Sequence, residues 1–268
     1  MLVWLALCPA LASGQVDRWK RDNDNGEQAY RRGRYQEAKR LLGLALMAAE
    51  SFGPNDPRVA QTLNNLGEVY AAEKRYKEAE AAFVRALAIR ERALGAAHPD
   101  VAESLNSLGD LYIAQEEYAR AEPLLRRALE IRERALGQRH EDVATSLNSL
   151  GDLYIALGKY EQAENVLWRS LSIREDALGR SHPDVADTLD NLAELAGARE
   201  KYEQAEAFLR RSLAIRERAQ GPAHPELAAT LEDYAALLRK MRRPSEATEA
   251  EARAAAVRAR HSKENAAK

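Results

Sequence analysis

Four histidines at a fixed spacing are the first residues of this sequence that could do chemistry. Imidazole nitrogens bind divalent metals at about 2 Å, so several histidines around one ion would form a metal site. A constant spacing, however, places residues in successive structural repeats, and stacked helices hold such positions roughly 10 Å apart. We therefore predict no metal site, and we expect each histidine to cap the helix that begins beside it. The four are His98, His140, His182 and His224, each 42 residues after the previous one.

Catalytic signatures are missing from the sequence. It contains no H-E-x-x-H zinc motif, no phosphate-binding loop, no dinucleotide fingerprint and no nucleophile elbow. Its one cysteine, Cys8, excludes a disulfide within the chain and a thiolate metal cluster. We predict that the protein is not an enzyme and has no cofactor.

Two columns of polar side chains offer a different chemistry. A column here is the set of residues at the same position of successive 42-residue units. An asparagine amide both donates and accepts hydrogen bonds, so it can bind the backbone of an extended peptide without reading its sequence. Neighbouring carboxylates would favour lysine or arginine side chains in that peptide. The alternative is that these residues only bond adjacent helices to each other. The predicted peptide-binding residues are Asn64, Glu68, Asn106, Asp110, Asn148, Asp152, Asp190 and Glu194.

The elements that must position these columns follow from a repeat of the whole sequence. The string H-P-D-V-A at His98 returns as H-E-D-V-A, H-P-D-V-A and H-P-E-L-A at intervals of 42 residues, and Asp56 begins a degenerate first copy. A period of this length indicates a solenoid in which each unit packs against its neighbours. Apolar positions recur with the same period, as in the column Leu63, Leu105, Leu147, Leu189 and Leu231.

Each period predicts two helices. The first begins at the His-Pro-Asp element, because proline suits the first helical turn and an acidic residue is favourable at the positive N-terminal end. Its apolar positions, such as Val101 and Leu105, follow spacings of three and four. The second helix begins near Tyr118 and ends at Gly137, where glycine allows a left-handed cap. Gly67 and its equivalents inside the first helix indicate the close approach of a neighbouring helix.

These motifs carry a family resemblance. The pattern L-N-N-L-G-x-x-Y from Leu63 to Tyr70, followed by Tyr76, Ala79 and Phe83, resembles the tetratricopeptide repeat (TPR). The 42-residue length, with I-R-E-R-A-L-G and H-P-D-V-A, resembles the kinesin light chain variety. The resemblance covers about residues 26–260 and implies an all-α fold, an α-solenoid of antiparallel helix pairs stacked in a right-handed superhelix. It also implies a concave groove in which the first helices commonly hold peptides.

Two features limit what the resemblance implies about function. Kinesin light chains also carry a heptad coiled coil that joins the motor, and this sequence has none, so a motor role does not transfer. The chaperone-binding clamp of related repeats needs lysine and arginine in the groove, where acidic residues stand here. We expect a non-catalytic interaction module that holds an extended, partly basic segment of a partner protein. The alternative is a structural assembly subunit or self-associating scaffold without a peptide ligand.

The predicted organisation is one solenoid with atypical ends. Residues 1–14 form a signal peptide or a disordered N-terminus, residues 15–25 a linker, residues 26–260 the solenoid, and residues 261–268 a loose tail. A solenoid needs end repeats whose outer face tolerates water. Its predicted parts are a partial repeat at 26–53, repeats at about 56–95, 98–137, 140–179 and 182–221, and a degenerate capping repeat at 224–260.

The first residues combine an apolar run from Leu2 to Leu7 with the small-x-small pattern Ala10-Leu11-Ala12, which is typical of a signal peptide. The run is too short to span a bilayer as a helix. No lysine or arginine precedes it, so a frayed apolar N-terminus is the alternative. We expect a periplasmic or secreted protein if the segment is a signal peptide, and a cytoplasmic protein otherwise.

The charge balance bears on the class of partner. Forty lysines and arginines against 42 acidic residues leave a net charge of −2, so no global basic field attracts nucleic acid. We therefore predict a protein or peptide partner and no nucleic acid. One column of arginines beside glutamates predicts a solvated, salt-bridged helix face. This column is Arg90, Arg132, Arg174 and Arg216.

Overall fold

A computed structural model describes residues 9–266 of the chain, with side chains described for residues 14–264. Within that range every regular element is an α-helix and no strand occurs, which confirms the predicted all-α class. The helices are α1 (Pro9–Arg31), α2 (Tyr35–Glu50), α3 (Pro57–Ala72), α4 (Tyr76–Leu94), α5 (Pro99–Ala114), α6 (Tyr118–Leu136), α7 (Glu141–Ala156), α8 (Tyr160–Leu178), α9 (Pro183–Ala198), α10 (Tyr202–Ala219), α11 (Pro225–Lys240) and α12 (Pro244–Ala266).

The helices form two units, of which the first ends at Leu111 and the second begins at Tyr112. In the first unit α1 packs on α2 and α3 packs on α4, and α2 also packs on α3. In the second unit the pairs are α7 with α8, α9 with α10 and α11 with α12, each joined to the next pair by a further helix contact. Short turns between paired helices make neighbours antiparallel. This arrangement confirms the predicted solenoid of stacked helix pairs.

The helix ends follow from residue chemistry. Asp56 caps α3 by accepting a hydrogen bond from the backbone N–H of Arg58 at 3.0 Å, which satisfies one of the free donors at a helix N-terminus. The second helix of a repeat stops at a glycine, and Gly95 and Gly137 adopt φ values of 88° and 89°. A side chain would be strained in that left-handed region. In the pair α5 and α6, proline at the start and glycine at the end therefore set the length.

Gly67 allows helices α3 and α4 of the first unit to approach closely. A Cβ atom at this position would lie 2.5 Å from Cε1 of Phe83, closer than van der Waals contact permits. Gly151 has the same relation to Leu167 in the second unit. The predicted reason for glycine inside the first helix, a close neighbouring helix, is confirmed at both positions.

Residues 15–25 differ from the predicted linker, because they belong to α1. Asn23 is buried, and its Oδ1 accepts a hydrogen bond from the hydroxyl of Thr62 at 3.2 Å. The indole N–H of Trp19 donates to the same hydroxyl at 2.9 Å. The buried stripe of α1 is thus largely polar or small, with Gly26 packed against Leu42. An apolar periodicity could not reveal such a helix.

The C-terminal helix also extends beyond the predicted boundary at Arg260. Helix α12 continues to Ala266, so most of the expected tail is helical. Its buried face consists mostly of small residues, with Ala247, Ala250 and Ala254 packed towards α11 or α10 and Val257 beyond them. Alanine, lysine and glutamate have high helix propensity, which favours continuation of the helix where packing has ended.

Candidate functional site

Asn64 lies inside the polar network of the first unit. Its side chain is 0% exposed, and its amide nitrogen donates to carboxylate oxygens of Glu68 at 3.3 Å and Glu103 at 3.2 Å. The hydroxyl of Ser104 donates to its carbonyl oxygen at 3.4 Å. A buried amide that is satisfied by neighbouring helices cannot also bind a peptide. Asn64 is therefore a structural residue, contrary to our expectation of an exposed groove position.

Asn106 is a second correction of the same kind. It is 4% exposed, and its amide nitrogen donates to Oδ2 of Asp110 at 2.9 Å, one turn along α5. The error arose because the polar stripe of α3 packs against the following first helix, α5, as well as facing outward. Both asparagines hold a carboxylate in place, and it is the carboxylates that reach solvent.

The carboxylates of the first unit form a group of like charges. Glu68 is partly exposed and Asp110 is exposed. Burial, followed by the negative charges of Glu103 and Glu27, raises the pKa of Glu68 to about 8, and Arg31 acts in the opposite direction. Like charges held this close favour either a proton or a bound cation. We call Glu27, Glu68, Glu103 and Asp110 the unit 1 acidic cluster.

The corresponding asparagine of the second unit is placed differently. Asn148 is partly exposed, and its Oδ1 has no hydrogen-bond partner in the described part of the chain. Asp152, one turn further along α7, is also partly exposed, and its charge acts on the nearby Arg174. The asparagine column is therefore not uniform: two members are buried and satisfied, whereas the third is partly exposed and has a buried acceptor oxygen without a partner.

The remaining predicted residues lie on α9 beside α11. Asp190 accepts hydrogen bonds from Arg216 at 2.8 Å and from the hydroxyl of Thr230 at 3.1 Å, while Glu194 is exposed. Partial removal from water, together with the charges of Asp190 and Glu194, raises the pKa of Asp233 on α11 to about 6. We call Asp190, Glu194 and Asp233 the unit 2 acidic cluster.

The sequence prediction did not include Glu27 and Asp233 as members of these clusters. Asp233 occupies the column of Asn65, Ser107, Ser149 and Asn191, one position after the asparagine column. A carboxylate that replaces small polar residues in this column was a visible signal. Glu27 lies on α1, of which residues 15–25 were predicted to be a linker and residues 26–31 the start of a partial repeat, so a complete helix at this position was not expected.

The arginine column is buried, so the predicted solvated face is wrong. Arg90, Arg132, Arg174 and Arg216 are 3–5% exposed. Nη1 of Arg132 donates to the carbonyl oxygen of Asp142 at 3.0 Å and to the hydroxyl of Ser146 at 2.8 Å. Arg90 and Arg174 make the same two bonds to the residues ten and fourteen positions further on. Each guanidinium therefore joins a second helix to the start of the next first helix.

The histidine column caps helices, as predicted. Nδ1 of His140 accepts a hydrogen bond from the backbone N–H of Asp142 at 3.2 Å, and His98, His182 and His224 accept in the same way. Among the described side chains no group of three histidine, cysteine or acidic residues could hold a metal ion.

The predicted signal segment, residues 1–14, lies mostly outside the described residues and stays a prediction. Across the helices that are described, none is both long enough and apolar enough to cross a membrane.

The repeat architecture agrees with a known family. A model described as "Tetratricopeptide repeat" matches residues 22–92, 58–134, 100–176, 142–218 and 184–260. The chain belongs to the tetratricopeptide repeat family. The 42-residue spacing of this TPR chain is that of the kinesin light chain variety, as predicted. Proteins of this kind use their stacked helices as binding surfaces for other proteins.

Solved structures share this fold at low sequence identity. BtubC (BKLC) from P. vanneervenii is 22% identical, with a TM-score of 0.62 and 90% of this chain and 91% of that chain covered. The kinesin light chain nearly identical TPR-like repeats from Podosopora anserina are 24% identical, with a TM-score of 0.57 over 76% and 96% of the two chains. Aspartyl phosphate phosphatase F from Bacillus subtilis is 15% identical, with a TM-score of 0.67 over 91% and 60%. No curated protein sequence matches this chain significantly.

Proposed function

We propose that this chain is a non-catalytic interaction scaffold whose first-helix carboxylates bind lysine and arginine side chains in an extended segment of a partner protein. One observation carries the proposal: each unit holds exposed carboxylates in an acidic cluster that is incompletely neutralised by the chain's own cations. Family membership supports the broader role, because tetratricopeptide repeat proteins bind other proteins.

The charge balance of the unit 1 acidic cluster supports this role. Glu103 accepts a hydrogen bond from Arg90 at 3.1 Å, and Glu27 pairs with Arg31. Glu68 accepts a hydrogen bond from the neutral amide of Asn64 instead. An amide orients a carboxylate without neutralising its charge. The pKa of Glu68 is raised because burial and nearby negative charges disfavour the ionised carboxylate. An ammonium or guanidinium group from a partner would supply the missing charge.

The carboxylates of the unit 2 acidic cluster are also only partly neutralised by the chain's own cations. Arg216 neutralises Asp190 directly, whereas Glu194 and Asp233 are exposed and lack an ion pair among the described side chains. Lys240 is the cation whose charge acts on Glu194. A basic side chain near Asp233 would lower the raised pKa of that carboxyl and release its proton.

Within this proposal the asparagines have a supporting part. Asn64 and Asn106 hold the carboxylates of Glu68 and Asp110 from inside the helix stack. The main contact chemistry is therefore electrostatic, which accounts for association with basic segments of varied sequence.

The test is fluorescence anisotropy with a labelled ten-residue peptide that alternates lysine or arginine with glycine or serine. We expect salt-sensitive binding that strengthens from pH 5.5 to pH 8.5, because Asp233 and Glu68 lose their protons near pH 6 and pH 8 while the peptide stays charged. Glu194→Gln and Asp233→Asn should each weaken binding about two- to fivefold. Glu203→Gln is the matched control, since Glu203 is an exposed carboxylate on second helix α10.

Two results would reject the proposal: equal binding of an otherwise identical peptide with glutamate at the basic positions, or equal losses for Glu203→Gln and Asp233→Asn. Light scattering of the protein alone addresses the alternative. A stable oligomer that neither acidic-cluster variant alters, combined with no binding of the basic peptide, would favour a self-associating scaffold.

A further inference from the structure

An arginine-lined pocket lies away from the acidic clusters, where the turn between α8 and α9 meets α10. It is an open pocket of about 450 Å³ lined by Arg180, Ser181, Arg211, Ala214, Ile215 and Arg218. Arg211 and Arg218 are seven residues apart on α10 and therefore share one face of that helix. We call this the Arg180 pocket.

The Arg180 pocket carries excess positive charge. Arg180 and Arg211 share one carboxylate, with Glu175 at 3.6 Å from Arg180 and 2.5 Å from Arg211. Arg218 has no acidic partner among the described side chains. The adjacent Glu217 pairs with Arg253, so it does not compensate the pocket. Three guanidinium groups against one carboxylate leave a charge of about +2 in a chain whose net charge is −2.

The equivalent turn one repeat earlier provides an internal comparison. Arg169 occupies the position of Arg211, and it donates to the carbonyl oxygen of Gln138 at 3.1 Å as Arg211 does to that of Arg180 at 3.3 Å. It also pairs with Glu133 at 2.6 Å. The backbone scaffold of the two turns is therefore the same.

The charges at the two turns differ. At the earlier turn Asp176 occupies the position of Arg218 and pairs with Arg139 at 2.6 Å. Glu133 compensates Arg169, so this turn is neutral. Arg218 replaces Asp176 and Arg180 replaces Gln138, while Ser181 replaces Arg139; together these three changes convert a neutral turn into a pocket with a charge of about +2. Scaffold packing does not require the change, because the earlier turn folds without it.

We propose that the Arg180 pocket binds a phosphate monoester group, such as that of a phosphorylated serine in a partner protein. A phosphate monoester carries a charge of about −1.5 to −2 at pH 7 and presents three acceptor oxygens, which matches the pocket's charge of about +2. Guanidinium groups bind phosphate oxygens through paired N–H donors, and the hydroxyl of Ser181 adds a further donor. Arg211 and Arg218 are about 10 Å apart along α10. Two extended arginine side chains at this distance can both reach one anion between them.

A carboxylate is a weaker match for the same site. Its single negative charge would leave the pocket cationic, and it offers two oxygens to three guanidinium groups. The proposal is independent of the acidic clusters, because its ligand has the opposite charge and its residues lie on other elements. A negative result for the Arg180 pocket therefore does not contradict the proposed binding of basic segments by the acidic clusters, and the reverse also holds.

The experiment compares three labelled peptides that differ at one position, which holds phosphoserine, serine or aspartate, by fluorescence anisotropy at fixed salt. We expect the phosphoserine peptide to bind about tenfold or more tighter than either other form. Arg218→Asp, which recreates the charge of the neutral turn, should abolish that preference. Arg134→Asp is the matched control, because Arg134 is exposed, occupies the same column on α6 and lies outside the pocket.

Competition by inorganic phosphate identifies the source of the anion. Displacement of the phosphopeptide only at concentrations far above its dissociation constant supports a protein ligand, whereas equal affinity for inorganic phosphate supports a phosphate site that serves a small molecule. Equal binding of the phosphoserine and serine peptides would overturn the proposal. An Arg218→Asp variant that keeps its preference while its circular dichroism spectrum is unchanged would also overturn it.

Discussion

Arg90 in the first unit and Arg216 in the second occupy the same column, yet they bind different partners. Arg90 donates to a carbonyl oxygen, the hydroxyl of Ser104 and one carboxylate, that of Glu103. Arg216 pairs with Asp187, Asp190 and Glu226. The arginine at this position therefore hydrogen-bonds to the next first helix in the first unit, whereas in the second unit it pairs with three acidic side chains.

This difference shows how one repeat template produces two electrostatic environments. In the first unit Glu68 lies beyond the reach of the column arginine, and its pKa rises to about 8. In the second unit Arg216 compensates Asp190, and the pKa of Asp233 rises only to about 6. The position of carboxylates relative to a buried guanidinium decides which of them remain available to a partner.

Removal of Arg216 gives the largest expected effect on this comparison. Arg216→Met should reduce the free energy of unfolding by roughly 2–4 kcal/mol, because Asp187 and Asp190 lose their cation while they remain partly buried. Arg174→Met should cost less, roughly 1–3 kcal/mol, since its partners are a carbonyl oxygen and the hydroxyl of Thr188. Urea unfolding followed by circular dichroism measures both.

The double variant Arg216→Met with Asp190→Asn is the control for this prediction. It should recover part of the loss, because the amide needs no counter-charge. An Arg174→Met variant as unstable as Arg216→Met, with no recovery in the double variant, would show that the carboxylate partners do not distinguish the two sites.

Glu68→Gln tests the electrostatic strain of the first unit. The pKa of Glu68 is about 8 in the folded protein and about 4.5 in the unfolded chain, so the folded state binds more protons between these pH values. Its contribution to stability therefore falls as pH rises through that window. Glu68→Gln should increase the free energy of unfolding by roughly 1–3 kcal/mol at pH 8.5 and change it little at pH 4.5.

The matching substitution in the second unit, Asp233→Asn, should have a smaller effect, with its change centred between pH 4 and pH 6. Unfolding midpoints measured from pH 4.5 to pH 8.5 compare the two variants. A pH-independent gain from Glu68→Gln would mean that hydrogen bonding rather than charge sets its contribution.

The smallest expected effect concerns the turn within a helix pair, which should behave alike in both units. Lys74 and Glu200 each have φ of 59°, in the left-handed region, where the equivalent turns carry Gly33 or Gly158. Lys74→Gly and Glu200→Gly should each stabilise the fold by about 0.5–1 kcal/mol, since relief of the left-handed strain exceeds the added freedom of the unfolded chain. Thermal unfolding measures the gain, and Gly158→Ala should have the opposite sign. If one of the two glycine substitutions stabilised the fold and the other destabilised it, the turns of the two units would not share the same backbone strain.

The repeat, its two helices and its family could be predicted because local chemistry repeats with the sequence. The proline at the start of α5, the glycine after α6 and the histidine before α7 each act within one or two turns of their own position. Columns of leucine and alanine add a pattern that one-dimensional stacking preserves. The polar columns were also visible, and their members do lie on first helices.

The sequence alone determined which residues share a position in each repeat, and therefore the helix pairs, the caps and the family. Only the tertiary structure decided which of those residues face a neighbour and which face water. Asn64 and Arg132 are as polar as Asp110 and Arg218, yet the first two are buried, and each makes hydrogen bonds to a partner on an adjacent helix. That partner lies on another helix, up to about 40 residues away in the chain, so helical periodicity cannot report it.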